Sequence, residues 1–331
     1  MHQHCGPVSM YSLPQELTEK IVHQLKGDRR SLLCLSLVSV SFQVAAQAYL
    51  FRRIAFIPES RKCDSRYKHF RDESEEELFH WVLPLNRVHA FLSILEIRSS
   101  HFIGALVRNL SLAFSEPEPY ATNLTDDLHH ALQQMISLKC LQVTLGPLTN
   151  VCMAIVLADL PCQLTRFCLL DRRQYLEEDD AYITFLSSQH HLKYFHFVSS
   201  LLVPCSQFYC PTLETFVGDL TRSSTIFPSL TQITSLGLVD SPWSNALPIS
   251  SLTPMSSILS QLRTLTLYSC FFKEPALEKL FGYMTSLEIL EVALDERTTT
   301  NRLTKVSDHF FFSILQLSSP IACYLNAQLY P

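Results

Sequence analysis

The stretch Leu262-Arg263-Thr264-Leu265-Thr266-Leu267-Tyr268-Ser269-Cys270 carries the reading of the whole chain. Leucine stands at its first, fourth and sixth places and a cysteine closes it at the ninth. On an extended backbone side chains alternate between two faces, so Leu265 and Leu267 share one face while Thr264, Thr266 and Tyr268 share the other. Segments of the same style begin at Val107, Leu138, Leu164, Leu192, Leu213, Ile233 and Leu287, and the eight starts are separated by 31, 26, 28, 21, 20, 29 and 25 residues. In a chain that is 47% hydrophobic such a spacing recurs by chance, so the flanks decide. Before Leu138, residues 125–136 place Asp126 and Asp127 early and Leu128, Leu132, Met135 and Ile136 on one helical face. Residues 275–284 do the same before Leu287 with Leu277, Leu280, Phe281 and Met284, and residues 180–188 precede Leu192. Each unit is therefore a strand plus a helix that buries its apolar face only by stacking on its neighbours.

A unit of about 26 residues with this strand spacing is a leucine-rich repeat. The expected fold class is α/β, an irregular leucine-rich-repeat-like solenoid over residues 89–331, following an N-terminal unit of three helices. In each strand the residues between the buried ones face the concave surface, which nominates Gln142, Thr144, Tyr194, His196, Thr264, Thr266, Tyr268 and Glu291 as substrate contacts. The other α/β architecture, built of βαβ units around a nucleotide, needs glycine at its phosphate turn. Seven glycines, the closest two being Gly218 and Gly237, leave no pair within one motif. Phosphate loops, dinucleotide fingerprints and nucleophile elbows are excluded in their standard forms.

The N-terminal part reads as a tail over 1–11 and a helical unit over 12–51. Pro14 suits the first helical position and Glu16 the positive end of the helix dipole, with Leu17, Ile21 and Leu25 following at four-residue steps. Lys26-Gly27-Asp28 ends that helix and caps the next near Arg29. From Ser31 to Phe51 no residue is charged, but Ser36, Ser39, Gln43 and Gln47 form a polar stripe, which reads as one amphipathic helix or two short ones rather than a membrane span. So small a unit buries too little surface to stand alone.

Leu13-Pro14-x-Glu16-Leu17, then Ile21, Leu25, Leu37-Val38, Phe42 and Leu50-Phe51, resemble an F-box, the three-helix motif that binds the Skp adaptor of cullin-based ubiquitin ligases. Leu50-Phe51-Arg52-Arg53-Ile54 and the segments 90–95 and 106–112 look similar to basidiomycete fungal members of the F-box family that carry degenerate leucine-rich repeats. The motif departs from the family where Val38-Ser39-Val40-Ser41-Phe42 lacks a basic residue and has Phe in place of Trp. The resemblance implies a non-catalytic substrate-recognition subunit of a Skp-cullin-F-box ligase. Leu13, Pro14, Leu17, Ile21, Leu25, Leu37, Val38 and Phe42 would then contact the adaptor or fill the motif's own core, and the repeats would hold an unknown protein substrate. It implies no cofactor and no metal. The alternative is a leucine-rich-repeat interaction scaffold without ligase association.

Composition fits such a protein. Net charge is 26 − 31 = −5, which favours neither nucleic acid nor an anionic membrane as partner. Residues 1–72 hold 11 Lys+Arg against 6 Asp+Glu, a balance of +5 that leaves −10 for the rest. The eleven cysteines contain no C-x-x-C pair and read as reduced, buried small hydrophobes of a cytoplasmic or nuclear protein. Asn109-Leu110-Ser111 and Asn123-Leu124-Thr125 match the glycosylation pattern by chance. The adjacent pairs His129-His130 and His190-His191 sit in no ligand pattern, and Glu177-Glu178-Asp179-Asp180 lacks the alternate spacing of a calcium loop. Residues 52–88, rich in charge over 58–78, are expected as a linker and charged loop. The apolar segments 310–315 and 321–325 are unlike a polar capping repeat and point to an association surface.

Overall fold

A computed structural model describes residues 13–57, 81–84, 87–96, 101–114, 124–146, 149–171, 179–199, 210–218, 232–239, 256–268, 281–293 and 322–326. Three helices come first, α1 (Gln15–Gln24), α2 (Arg29–Leu35) and α3 (Val40–Leu50). Pro14 stands one place before the first helical residue, and its carbonyl accepts from the backbone N–H groups of Leu17 and Thr18 at 3.0 and 3.1 Å. Asp28 caps α2 by accepting from the Ser31 N–H at 3.1 Å and the Ser31 hydroxyl at 2.6 Å. Those bonds, the hydroxyl's first, hold the Asp28 carboxyl below the ordinary carboxylate range. The uncharged stretch is two helices, because the Ser39 side chain accepts from the Phe42 N–H and opens α3 separately.

The core of this unit is small: Val22, Leu32, Ala46 and Leu50 are buried, with Leu25, Leu35, Phe42 and Tyr49 packed around them. Phe51 packs against this cluster and against the core of the sheet that follows. Three residues after Leu50 the chain enters β1 (Arg53–Ile57). The expected linker over 52–88 is thus corrected at both of its described ends, since β1 and β2 (Trp81–Pro84) are sheet strands. Charge density between them masked the apolar spacing Phe51-x-x-Ile54-x-Phe56, the same spacing that marks the later repeats. Residues 58–78 lie outside the described residues.

The sheet continues with β3 (Asn109–Phe114), β4 (Cys140–Leu145), β5 (Arg166–Asp171), β6 (Tyr194–Ser199), β7 (Thr215–Gly218), β8 (Ser235–Val239), β9 (Thr264–Tyr268), β10 (Ile289–Ala293) and β11 (Ala322–Asn326). Among the described residues all eleven strands are parallel, in the order β11-β10-β9-β8-β7-β6-β5-β4-β3-β1-β2. From β3 to β11 sequence order is spatial order, the topology of a solenoid, and β2 closes the N-terminal edge outside β1. The helices between strands are α4 (Val88–Glu96), α5 (His101–Leu106), α6 (Leu124–Gln134), α7 (Met153–Leu157), α8 (Asp179–Ser188) and α9 (Ser256–Leu259). The chain is therefore an α/β protein with a leucine-rich-repeat-like parallel solenoid.

Strand register turns the sequence spacing into a core. Ile54, Leu110, Leu141, Phe167, Phe195, Phe216, Leu236, Leu265 and Leu290 stand side by side across nine strands, each at most 3% exposed. The eight residues that open the units, from Val107 to Leu287, are also buried, none above 2%. In the row containing Leu238 and Leu267 the unit that opens at Leu213 has Gly218 instead of an apolar side chain. A Cβ there would lie 2.8 Å from the Phe216 ring and 2.8 Å from the Phe197 carbonyl oxygen, so the Phe216 ring occupies the missing side chain's place. The rings of Phe167 and Phe195 are stacked at 5.8 Å, and Phe195 also meets Phe197 and Phe216 at 5.6 and 5.8 Å.

Leu128, Leu132 and Met135 are buried as the α6 pattern requires, whereas Ile136, beyond the helix end, is 60% exposed. Phe281 and Met284 are buried before Leu287, while Leu277 and Leu280 lie outside the described residues. Glutamines tie successive units together. The Gln133 amide donates to the Asp159 carbonyl at 2.9 Å, that of Gln163 donates to the Ser188 carbonyl at 3.1 Å, and the Gln189 side-chain oxygen accepts from the Leu164 N–H at 2.8 Å. The segment 310–315 lies outside the described residues, and Ala322–Asn326 extends the sheet beside β10.

Candidate functional site

Two surfaces remain after the core is assigned. The first is on the helical unit, where apolar side chains stay in solvent: Leu13 is 47% exposed, Leu17 46%, Ile21 39%, Leu37 87% and Val38 68%. Helical spacing explains the pattern on α1. Thr18 and Val22 face α3 and are buried, which turns Leu17 and Ile21, one turn apart, outward on the neighbouring face. Leu37 and Val38 lie in the short connection between α2 and α3, and Leu33, Val40 and Val44 beside them are exposed too. Large apolar side chains left in water on so small a unit are the feature by which interaction surfaces are recognised in general. Pro14 is exposed as well. Leu25 and Phe42 have a different place: they are half-buried against the helical core, so they support the unit's packing.

The second surface is the sheet face opposite the helices. Along it the register sets Ser111, Gln142, Cys168, His196, Val217, Gly237, Thr266 and Glu291 in one row. The row thus brings four nominated residues, Gln142, His196, Thr266 and Glu291, into line, with Gln142 and Glu291 six strand spacings or about 29 Å apart. Tyr194 and Thr264 lie two residues before His196 and Thr266 on their strands, in a separate row with Arg166, Thr215 and Ser235. Thr144 and Tyr268 lie two residues after the central row on β4 and β9. Gln142, Tyr194, Thr264, Thr266 and Glu291 are partly exposed. The Thr266 hydroxyl and the Glu291 carboxylate are hydrogen-bonded at 3.2 Å, and the Arg166 guanidinium sits 4.4 Å above the Tyr194 ring.

Thr144 and His196 correct the simple alternation rule, for they are only 3% and 6% exposed. Their neighbours explain it. Thr144 lies between Ala113 and Leu170, and His196 between Cys168 and Val217; Cys168, Leu170 and Val217 are themselves buried, so the middle of this face is apolar and closed. Burial pushes the His196 imidazole down to about 3 and raises the Cys168 thiol. The buried Cys162 and Cys210 are pushed up to about 11 by the same effect. None of the three is a ready nucleophile, and the described cysteines carry no disulfide.

Among the described residues no group of three or more His, Cys, Asp or Glu is arranged to hold a metal ion. No helix among them is long and apolar enough to cross a membrane. The apolar space beneath α4 and α6, lined by Phe56, Phe91, Leu112 and Leu132 among others, has no room for a water-sized sphere and belongs to packing.

Comparison with known proteins returns no matching family model and no match among curated proteins. Among solved structures the chain is similar to the one described as the crystal structure of a TLR13–ssRNA13 complex, at 15% identity and a TM-score of 0.33, over 57% of this chain and 33% of that one. The chain thus spans about a third of the length of that protein.

Proposed function

We propose that this chain is a substrate-recognition subunit of a Skp-cullin-F-box ubiquitin ligase. In this reading the helical unit docks a Skp-type adaptor, and through it a cullin scaffold, while the sheet holds a target protein. The observation that carries the reading is the water-exposed apolar set Leu13, Leu17, Ile21, Leu37 and Val38. The resemblance of residues 12–51 to an F-box implies adaptor contacts at these same residues. No residue here performs chemistry in such a scheme. A bound target is ubiquitylated because it is held at high local concentration near an enzyme carried elsewhere in the complex. The packing of Phe51 against both cores supports the scheme, since it joins the docking unit to the sheet without a flexible tether.

The test is a pull-down of the full chain on a purified Skp-type adaptor, beside Leu37→Asp/Val38→Asp and, as a control, Ile155→Asp on the solenoid's exposed helical side. Leu37, Val38 and Ile155 are all exposed, so the variants keep the native circular dichroism. Retention of the native chain and the control, with loss of the double variant, is the expected result. Failure of the folded native chain to bind any adaptor would move the function to a leucine-rich-repeat scaffold outside the ligase, a reading favoured by the Ser39–Phe42 departures from the motif.

A further inference from the structure

The residue just ahead of each strand occupies the same register position from unit to unit, because its neighbours' backbones are bonded there. The Arg108 N–H donates to the Arg52 carbonyl at 2.9 Å and the Lys139 N–H to the Arg108 carbonyl at 2.8 Å. Three cations therefore stand on consecutive strands β1, β3 and β4, about 4.8 Å apart per step. Like charges set directly opposite on neighbouring strands repel. Farther along the solenoid the same position is arranged differently. Lys193 faces Glu214 on the next strand at 2.7 Å, and Arg263 faces Glu288 at 3.8 Å. Among the described residues no carboxylate pairs with Arg52, Arg108 or Lys139; the Lys139 ammonium donates instead to the Gln163 carbonyl at 3.4 Å. Arg108 and Lys139 are exposed and Arg52 is half-buried.

We propose that this N-terminal edge of the sheet binds a short acidic segment of a target protein. The inference rests on the reading that the sheet is the target-holding part, and is independent of adaptor docking. An extended peptide repeats its same-face side chains about every 6.8 Å, so two carboxylates two residues apart reach neighbouring cations of the row. Charge selects a short peptide over a long polyanion. The row is cationic in a chain of net charge −5 whose residues after 72 carry −10, so a nucleic acid running past the row meets repulsion.

The experiment is fluorescence anisotropy of the full chain, without adaptor, with a labelled heptapeptide of alternating glutamate and serine. Its arms are the same peptide with glutamine for glutamate and a labelled single-stranded oligonucleotide. Saturable binding of the glutamate peptide is expected, weakened by salt, about tenfold weaker in Arg108→Gln/Lys139→Gln and unchanged in Arg263→Gln. Equal binding of the glutamine peptide, equal affinity in the double variant, no binding at all, or an oligonucleotide that binds more tightly than the peptide would each overturn the proposal. Because no adaptor is present, a chain that fails to bind adaptor still gives this result. A chain that binds adaptor but ignores the peptide refutes this inference alone.

Discussion

Replacing Phe195 with alanine tests whether the solenoid is held by one continuous core. Phe195 is 1% exposed and its ring meets those of Phe167, Phe197 and Phe216 at 5.8, 5.6 and 5.8 Å. Removing a buried phenyl ring costs about 3–5 kcal/mol, the transfer energy of the lost carbons plus the cavity left behind. Collapse of the surroundings is limited, because Phe167 and Phe216 stand on flanking strands fixed by backbone hydrogen bonds, so the upper part of that range is expected. Each aromatic pair contributes about 0.5–1.5 kcal/mol beyond its buried area, and a double-mutant cycle of Phe167→Leu with Phe195→Leu should return a coupling of that size. Equilibrium urea unfolding followed by circular dichroism measures both, with an unchanged slope showing that only stability moved. Against a total stability of about 5–15 kcal/mol the alanine variant is poorly folded at 37 °C. A loss below about 1 kcal/mol, or a coupling near zero, would refute the shared core.

Gly218→Ala should destabilise by about 1–3 kcal/mol in the same assay, because the new Cβ meets the Phe197 backbone oxygen, which cannot swing aside; a neutral outcome would mean that the Phe216 ring does not fill the place of the missing side chain. His196, neutral and buried in the folded chain, takes up its proton on unfolding once the pH falls below about 6.5. Stability from this group is therefore complete above that pH and falls by about 1.4 kcal/mol per pH unit down to about 3; His196→Leu should flatten that part of the urea-midpoint profile, and an unchanged slope would count against a buried neutral imidazole. Native-state maleimide labelling read by mass spectrometry should modify the exposed Cys34 and spare Cys162, Cys168 and Cys210 until urea is added; labelling of Cys168 in the folded chain would contradict its burial.

The repeat was legible because its signal is local and periodic. Every unit opening from Val107 to Leu287 is buried, and each is followed by a strand in register with the last. Asp28 capping was legible for the same reason, since a cap needs only the next three residues. What escaped depended on neighbours distant in sequence. The strand at Arg53–Ile57 carries the repeat spacing, yet the arginine pair Arg52-Arg53 at its start and the charges after it made the segment read as a linker. Gly218 broke its own triplet, and only the position of the Phe216 ring accounts for the gap. Alternation sets Thr144 and His196 on the face away from the core row, but it does not foretell their burial, which comes with Leu170, Cys168 and Val217 on adjacent strands. The cationic row had a signal in the sequence, a basic residue immediately after Phe51, Val107 and Leu138, but its significance needed the strand register.

Hydrogen–deuterium exchange of the full chain with and without a purified Skp-type adaptor tests the central claim most directly. The account predicts slowed exchange over residues 13–25 and 33–44, which contain the exposed apolar set, with the strands from β4 to β10 unchanged. Protection confined to the sheet, or none in the helical unit at saturating adaptor, would contradict it.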